Sequence, residues 1–248
     1  MKATSLVEST EPRSACVTCK LRTLCLPAGL EVAEFDRLDG VGATQQAVRR
    51  GEALCHAGER FAAVFAVKAG TFKTSLPLPA GGQQVTGFPM AGDLIGLTGV
   101  AEGVLAFDAI ALEDALVCVI DFERLEALAR ANPVLQRRIH RYMSQELVAS
   151  RTLLGQLAQA RADERVATFL LQLAERQRLL GLSPDDVVLR MSREDIGNLL
   201  GLRIETVSRC LSRLEGDWAV DVRGRRIHIR DQARLRLLAR GLAALEPA

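Results

Sequence analysis

Three of the six cysteines in this 248-residue chain lie within ten residues of each other, close to the N-terminus. They are Cys16, Cys19 and Cys25, in the stretch ACVTCKLRTLCL, and their spacing is C-x2-C-x5-C. Thiolates bind metals and exchange electrons, and short spacing lets several of them surround one centre. In a chain whose thiols stay reduced, six cysteines indicate metal or redox chemistry before disulfides.

The composition is that of an ordinary globular protein. Hydrophobic residues make up 48% and charged residues 25% of the chain, and the net charge of +2 identifies no partner by itself. We find no apolar run of about 18 residues, so we expect no membrane-spanning helix. The first stretch, MKATSLVESTEPRSA, is polar and has no apolar core, so we do not expect a secretory signal. These features favour a cytoplasmic protein.

Between about Thr44 and Asp121, short apolar runs alternate with glycine-rich stretches such as PAGGQQVTGF and MAGDLIGL. This pattern predicts many short strands joined by tight turns, and hence a small barrel or roll. We assign residues 31–132 to this sensor domain and residues 1–30 to a preceding cysteine-rich segment.

Strand signals stop after the roll and helical patterns begin. The stretch DFERLEALARANP predicts a helix that ends near Pro133, and a longer helix follows over residues 133–160. Along it, five positions recur with the 3.5-residue period of a coiled-coil seam. They are Met143, Leu147, Ser150, Leu154 and Leu157. We interpret them as a homodimer seam, the alternative being a helix that packs on its own roll.

Residues 161–248 have the pattern of a winged helix-turn-helix domain, clearest in MSREDIGNLLGLRIETVSRCLSRLE. Ser192 and Asp195 have the spacing of a capping box, and Gly201 suits the positive φ of a turn. A second helix begins near Ile204. Its predicted buried face carries Ile204, Val207, Leu211 and Leu214. Its predicted exposed face carries Glu205, Ser208, Arg209 and Ser212.

The exposed face of this second helix suits the major groove of DNA. Arginine can bond O6 and N7 of guanine together, and glutamate can accept from N4 of cytosine. The alternative is an amphipathic helix pair whose charges merely face solvent. A hairpin, DWAVDVRGRRIHI, follows, and its arginines can lie on phosphates. Arg203 stands at the N-cap, where Ser or Thr is preferred, so we assign it to a phosphate contact.

The order of roll, long helix and winged helix-turn-helix resembles the Crp/Fnr regulator superfamily over nearly the whole chain. The most specific match is EDIGNLLGLRIETVSR, whose E-x-x-S-R core is Glu205, Ser208 and Arg209. The resemblance implies an α+β fold: a cyclic-nucleotide-binding-like β-roll, a dimerisation helix and a DNA-binding domain. It also implies a transcription factor, which is not an enzyme.

Within the superfamily, the cysteine pattern resembles FNR-type oxygen-responsive regulators. That resemblance implies a [4Fe–4S] cluster with four thiolate ligands, three from the N-terminal segment and one from the roll. They are Cys16, Cys19, Cys25 and Cys118. It further implies that the cluster favours the dimer, that oxygen destroys the cluster, and that the dimer binds TTGAT-type palindromic sites to control anaerobic genes. Leu24, beside Cys25, is predicted to shield the cluster.

Other interpretations of the cysteines stay open. Four thiolates also suit tetrahedral zinc, which would give a regulator of the same architecture that responds to another signal. Cys55 is an alternative fourth ligand, although this position in such a roll usually holds a core hydrophobe, and Cys210 borders the buried face of the second helix. An iron–sulfur redox enzyme is a further alternative, but the sequence shows no acid/base pair and no glycine-rich nucleotide loop.

Three further expectations concern partners. No arginine lies between Arg60 and Arg124, so a buried cyclic-nucleotide phosphate would lack a bidentate partner, and we expect no cyclic nucleotide. By resemblance, the hairpin around Leu76–Val85 contacts RNA polymerase. Also by resemblance, dimer helices of this type can carry an acidic residue in mid-seam that opposes pairing without the cluster. Ser150 stands there in this chain.

Overall fold

The computed structural model describes residues 16, 19–26, 28 and 44–240. The chain forms two compact units, which divide between Glu146 and Leu147. The division falls inside the long helix, whereas the sequence indicated boundaries at the two ends of that helix. The predicted boundary at residue 30 lies outside the described residues.

The first unit contains a roll built from two antiparallel sheets, as the sequence predicts. In chain order, the described strands are β1 (Thr44–Val48), β2 (Ala53–Cys55), β3 (Ala63–Ala69), β4 (Phe72–Pro77), β5 (Gln83–Gly87), β6 (Leu94–Ile95), β7 (Asp108–Ala111) and β8 (Ala115–Asp121). One sheet has the strand order β1-β8-β3-β6 and the other β2-β7-β4-β5. The glycine-rich stretches of the sequence form turns between these strands.

The central strand β8 has a different environment on each of its faces. Side chains alternate across a strand, so Val117 packs into the roll interior with Phe72 and Ala109. Cys118 and Ile120 belong to a second apolar cluster. That second cluster is completed by residues of the two following helices, so it lies outside the roll.

The turn between β3 and β4 requires a glycine. Gly70 has φ of +89°, and a Cβ built there would lie 2.6 Å from the Cβ of Ala115. Both the backbone conformation and the close approach of β8 exclude a side chain at this position.

Helix α1 (Phe122–Ala131) follows the roll, and helix α2 (Pro133–Gln159) follows α1, which confirms both predicted helices. Asn132 joins them. Its backbone N–H donates to Ala129 and its side-chain oxygen accepts from Val134 N–H at 2.9 Å, so one buried residue ends α1 and begins α2. Proline at the first position of α2 supports the start of that helix.

The second unit is the predicted winged helix-turn-helix domain. Its elements are α3 (Ala162–Leu179), β9 (Asp186–Val188), α4 (Arg193–Leu200), α5 (Ile204–Gly216), β10 (Val220–Arg223), β11 (Arg226–Ile229) and α6 (Gln232–Ala239). The three strands form one antiparallel sheet of order β10-β11-β9. No helix in the described part of the chain is both long enough and apolar enough to cross a membrane.

Candidate functional site

The cysteine segment, residues 19–26, is part of the first unit and folds into consecutive turns. The backbone N–H groups of Leu24 and Cys25 both donate to the carbonyl of Leu21 at 2.9 Å. Leu26 is 2% exposed and joins the apolar cluster that includes Val64 and Leu135. Burial of one large apolar side chain therefore fixes the end of the segment to the outside of the roll.

The structure brings the four predicted ligands into one region. Cys16, Cys25 and Cys118 all pack against the apolar cluster that holds Leu26. Burial raises the pKa of the Cys25 thiol to about 12, and the proximity of Cys16, Cys118 and Cys19 adds to that shift. Burial also raises the pKa of Cys118, and Cys19 contributes to that shift as well. As placed, however, no three His, Cys, Asp or Glu side chains among the described residues have the spacing of a metal site.

The other two cysteines lie elsewhere. Cys55 is 3% exposed in the roll interior, where burial and the nearby Glu59 raise its pKa to about 12. Cys210 is buried in α5, and burial together with Asp163 raises its pKa to about 12. Cys55 lies in the apolar core of the roll, so the structure does not bring it to the cysteine segment.

Leu24 is the residue of the cysteine segment that contacts both the roll and α2. A Cβ built on Gly92 would lie 3.3 Å from the Cβ of Leu24, so the Leu24 side chain packs against the turn before β6. The carbonyl of Leu24 accepts hydrogen bonds from Arg138 and from the hydroxyl of Tyr142. Sequence reasoning missed these two residues, because side chains that bind backbone carbonyls leave no motif.

The predicted seam residues form a stripe along α2. Met143, Leu147 and Leu154 are 37%, 53% and 65% exposed, and Ser150 lies exposed between them. Leu157 differs, because it is half-buried and lies 3.2 Å from the position that a Cβ on Gly201 would occupy. Part of its surface is therefore already covered within the second unit.

Local contacts fix the geometry of the helix-turn-helix. The Ser192 hydroxyl accepts from Asp195 N–H at 3.0 Å and the Asp195 carboxylate accepts from Ser192 N–H at 3.1 Å, as the capping box predicts. Gly201 has φ of +63° at the end of α4. Gly197 allows close approach of the turn, since a Cβ there would lie 2.6 Å from the carbonyl oxygen of Leu202.

Helix α5 buries the face that carries Val207, Cys210, Leu211 and Leu214. Glu205, Arg209 and Ser212 are exposed, and Ser208 is half-buried. The hydroxyl of Ser208 accepts from the Arg193 guanidinium at 3.1 Å, which fixes its position on the outward side. Glu205, Arg209 and Ser212 are therefore exposed as the sequence predicts, whereas Ser208 is only partly exposed.

The start of α5 differs from the prediction at one residue. Ile204 is 45% exposed, so its assignment to the buried face is wrong. At 100° per residue the buried arc is centred between Val207 and Leu214, with Leu211 and Cys210 at its two edges. Ile204 lies just beyond the edge formed by Leu211. Arg203 is exposed at the N-cap and its side chain makes no capping hydrogen bond.

The hairpin of β10 and β11 forms the wing. Two of its arginines bind within the chain: Arg230 donates to Asp221 at 2.5 Å, and Arg225 donates to the carbonyl of Arg190 at 3.0 Å. Arg223 and Arg226 flank the two-residue turn of Gly224 and Arg225 at the tip and are exposed. The tip of the wing thus presents cations to solvent.

Both units match known domain families. Residues 45–132 match the cyclic nucleotide-binding domain family and residues 164–238 the Crp-like helix-turn-helix domain family. The structure resembles that of FixK2 from Bradyrhizobium japonicum with a TM-score of 0.72 and 32% sequence identity. That similarity covers 79% of this chain and 96% of FixK2.

Named regulators are similar over most of the sequence. The transcriptional activator protein anr of Pseudomonas aeruginosa is 40% identical, over 93% of this chain and 94% of its own length. The fumarate and nitrate reduction regulatory protein of Salmonella typhimurium is 36% identical, over 90% of each chain. Members of the family that these proteins represent are transcription factors rather than enzymes. With the roll, the winged helix-turn-helix and this similarity together, the chain belongs to the Crp/Fnr family of DNA-binding transcription regulators.

Proposed function

We propose that this regulator senses oxygen through a [4Fe–4S] cluster held by Cys16, Cys19, Cys25 and Cys118. The observation that supports this most strongly is the convergence of the four thiols. Cys19 and Cys25 lie in the cysteine segment fastened by Leu26, and Cys16 lies just before it. Cys118 comes from the outer face of β8. A cubane cluster takes one thiolate per iron, and when bound it supplies an oxygen-sensitive inorganic centre.

The donor set fits such a group in its chemistry. Three of the four soft sulfur donors, Cys16, Cys25 and Cys118, lie against an apolar cluster in which Leu26 and Ile120 are buried. Cys19 lies near Cys25 and Cys118. An apolar shell limits solvent access to a cluster. Leu24, packed beside Gly92, adds to that shell. Zinc could use the same four thiolates, so metal analysis must decide between the two.

The signal would reach DNA through dimerisation. We assign the exposed stripe of Met143, Leu147 and Leu154 on α2, with Ser150 in its centre, to a seam with a second copy, and Leu157 to the end of that seam. Two recognition helices held roughly 34 Å apart bind two half-sites together, so pairing raises affinity through effective concentration. Ordering of the cysteine segment need shift the monomer–dimer balance by only a few kcal/mol.

We assign base recognition in a TTGAT-type half-site to Glu205, Ser208 and Arg209. Arg209 is exposed and suited to a guanine, and Glu205 is suited to a cytosine. Arg203 and Ser212 flank this set and are assigned to the phosphate backbone. As part of the same proposal, the regulator acts in the cytosol at the promoters of anaerobic genes.

Two partner assignments complete the proposal. The hairpin of β4 and β5 exposes Leu76 and Leu78, which supports an RNA polymerase contact there. We propose that the roll takes no cyclic nucleotide, because its interior is filled by apolar side chains such as Phe72, Val67 and Val85, which offer no charge to a phosphate.

Purification of the full chain without oxygen tests the function. We expect about four iron and about four sulfide per protomer, visible absorption that is lost in air, and operator binding that is lost with it. Cys118→Ser should abolish iron binding, whereas the matched control Cys55→Ser should retain it. One zinc per protomer without sulfide, or unchanged iron in Cys118→Ser, would overturn the proposal.

A further inference from the structure

Arg138 and Tyr142 lie one turn apart on α2 and face the cysteine segment. The Arg138 guanidinium lies 4.7 Å from the centre of the Tyr142 ring, an i,i+4 cation–π contact. Both side chains are half-buried, whereas the neighbouring Arg137 and Arg141 are exposed. Arg138 is therefore partly covered, whereas the arginines on either side of it on α2 face solvent.

Both side chains bind backbone carbonyls of the cysteine segment. Arg138 donates to the carbonyl of Leu24 at 2.5 Å and to that of Cys25 at 3.3 Å. The Tyr142 hydroxyl lies within hydrogen-bond distance of the Leu24 carbonyl and, at 3.0 Å, of the Gly92 carbonyl. Three parts of the first unit, namely segment, roll and helix, thus meet at one guanidinium and one hydroxyl.

The segment depends on such contacts because it is made of turns. Its internal backbone hydrogen bonds join residues three or four positions apart and do not fix it to the roll. A hydrogen bond from a charged donor contributes more than a neutral one, and it acts here on the two peptides that flank the Cys25 side chain.

We propose that Arg138 and Tyr142 are a pair of positioning residues that latch the Leu24–Cys25 backbone onto α2. The latch holds Cys25 beside Cys118 before any cofactor binds. It also connects the segment to the helix that carries the exposed stripe, since Tyr142 immediately precedes Met143. The role in delivering a ligand rests on the proposed cluster, whereas the latch itself is a property of the chain without one.

Hydrogen exchange read by mass spectrometry tests the latch in the reduced, cluster-free full-length chain. Tyr142→Phe removes one hydroxyl and keeps the ring, and Arg138→Gln removes the guanidinium. We expect amides of residues 19–26 to exchange about fivefold faster in Tyr142→Phe and about tenfold or more faster in Arg138→Gln. Arg137→Gln, an exposed neighbour on the same helix, should exchange like the unaltered chain.

Unchanged exchange of residues 19–26 in both variants would overturn the latch. A loss of protection throughout α2 as large as that in residues 19–26 would also overturn it, because it would mark a purely structural role. A second measurement separates the latch from the cluster. If the unaltered chain binds iron and sulfide, the variants should lose them in air at least about threefold faster. If the unaltered chain binds none, the proposed function fails while the exchange result still decides the latch.

Discussion

Arg209 is exposed on the outward face of α5. Its guanidinium lies 3.5 Å from the Thr206 hydroxyl, a long contact that leaves it able to turn toward a base. Recognition by this residue should therefore depend on its planar, forked shape and not only on its charge.

We expect Arg209→Lys to weaken binding to a duplex with the TTGAT-type half-sites by about tenfold or more, because lysine cannot bond O6 and N7 of one guanine together. Binding to a site in which that guanine is replaced should change much less. Fluorescence anisotropy with the two duplexes, under anaerobic conditions, measures the difference. Arg223→Gln, at the tip of the wing, is the contrasting control, since it should weaken both duplexes alike and reduce the salt dependence. Equal discrimination by Arg209→Lys and the unaltered chain would refute the assignment.

Gly70 gives a residue-scale test of the roll. An alanine there would combine positive φ with a contact of 2.6 Å to Ala115, so we expect a loss of about 2–4 kcal/mol in the free energy of unfolding. Gly58 has a similar φ of +84° but nothing within 4 Å of a built Cβ, so Gly58→Ala should cost only about 1 kcal/mol. Urea unfolding of the two variants isolates the contribution of the close contact. Equal losses would mean that backbone strain dominates at both positions.

At the scale of elements, the helix-turn-helix depends on how closely α4 approaches the turn. Gly197→Ala would place a methyl group 2.6 Å from the carbonyl of Leu202, so α4 and the turn must separate. We expect DNA binding to fall at least about tenfold while the roll still folds, as measured by anisotropy and circular dichroism. Gly216, in the last turn of α5, has no atom within 4 Å of a built Cβ. Gly216→Ala should therefore bind DNA normally, and a similar defect in both variants would contradict this explanation.

The elements themselves follow largely from local sequence. The capping residues Ser192 and Asp195, the turn glycine Gly201 and the alternation along β8 each act over a few positions, and each is legible as a pattern. Ile204 shows the limit, because the edge of an amphipathic face cannot be located to within one residue without the partner surface. The contacts of Arg138 and Tyr142 with the cysteine segment were not predictable, since these partners lie more than a hundred positions away and are backbone atoms.

The cysteine site was likewise predictable from the sequence only in part. The spacing of the N-terminal cysteines identifies the type of chemistry, and the resemblance supplies Cys118. That Cys118 faces outward depends on β8 pairing with both β1 and β3, where it lies opposite Gln45 and Ala66. A shift of one residue in that register would turn the thiol into the roll interior, where Val117 now packs. Register is set by the whole sheet and not by the residues next to the cysteine.

At the scale of the whole molecule, we expect the exposed stripe on α2 to determine whether two copies can pair. Ser150 occupies its centre, between Leu147 and Leu154, and adds no charge to the seam. In a twofold-symmetric parallel seam the same position of each copy faces its counterpart. In the proposed seam, no charge at this point would oppose pairing. We therefore expect the state of the cysteine segment to be the more important influence on dimerisation.

We expect Ser150→Asp to raise the dimer dissociation constant about fivefold to tenfold at low salt, because two like charges would face each other across an otherwise apolar seam. Added salt should reduce the effect, since the Debye length shortens to about 8 Å at 0.15 M. Sedimentation velocity over a concentration series measures the constant. Gln145→Asp makes the same charge change on the opposite side of α2 and should leave the constant unchanged. If both variants pair like the unaltered chain, the stripe packs elsewhere and the dimer uses another surface. If both weaken equally, net charge rather than seam geometry governs association.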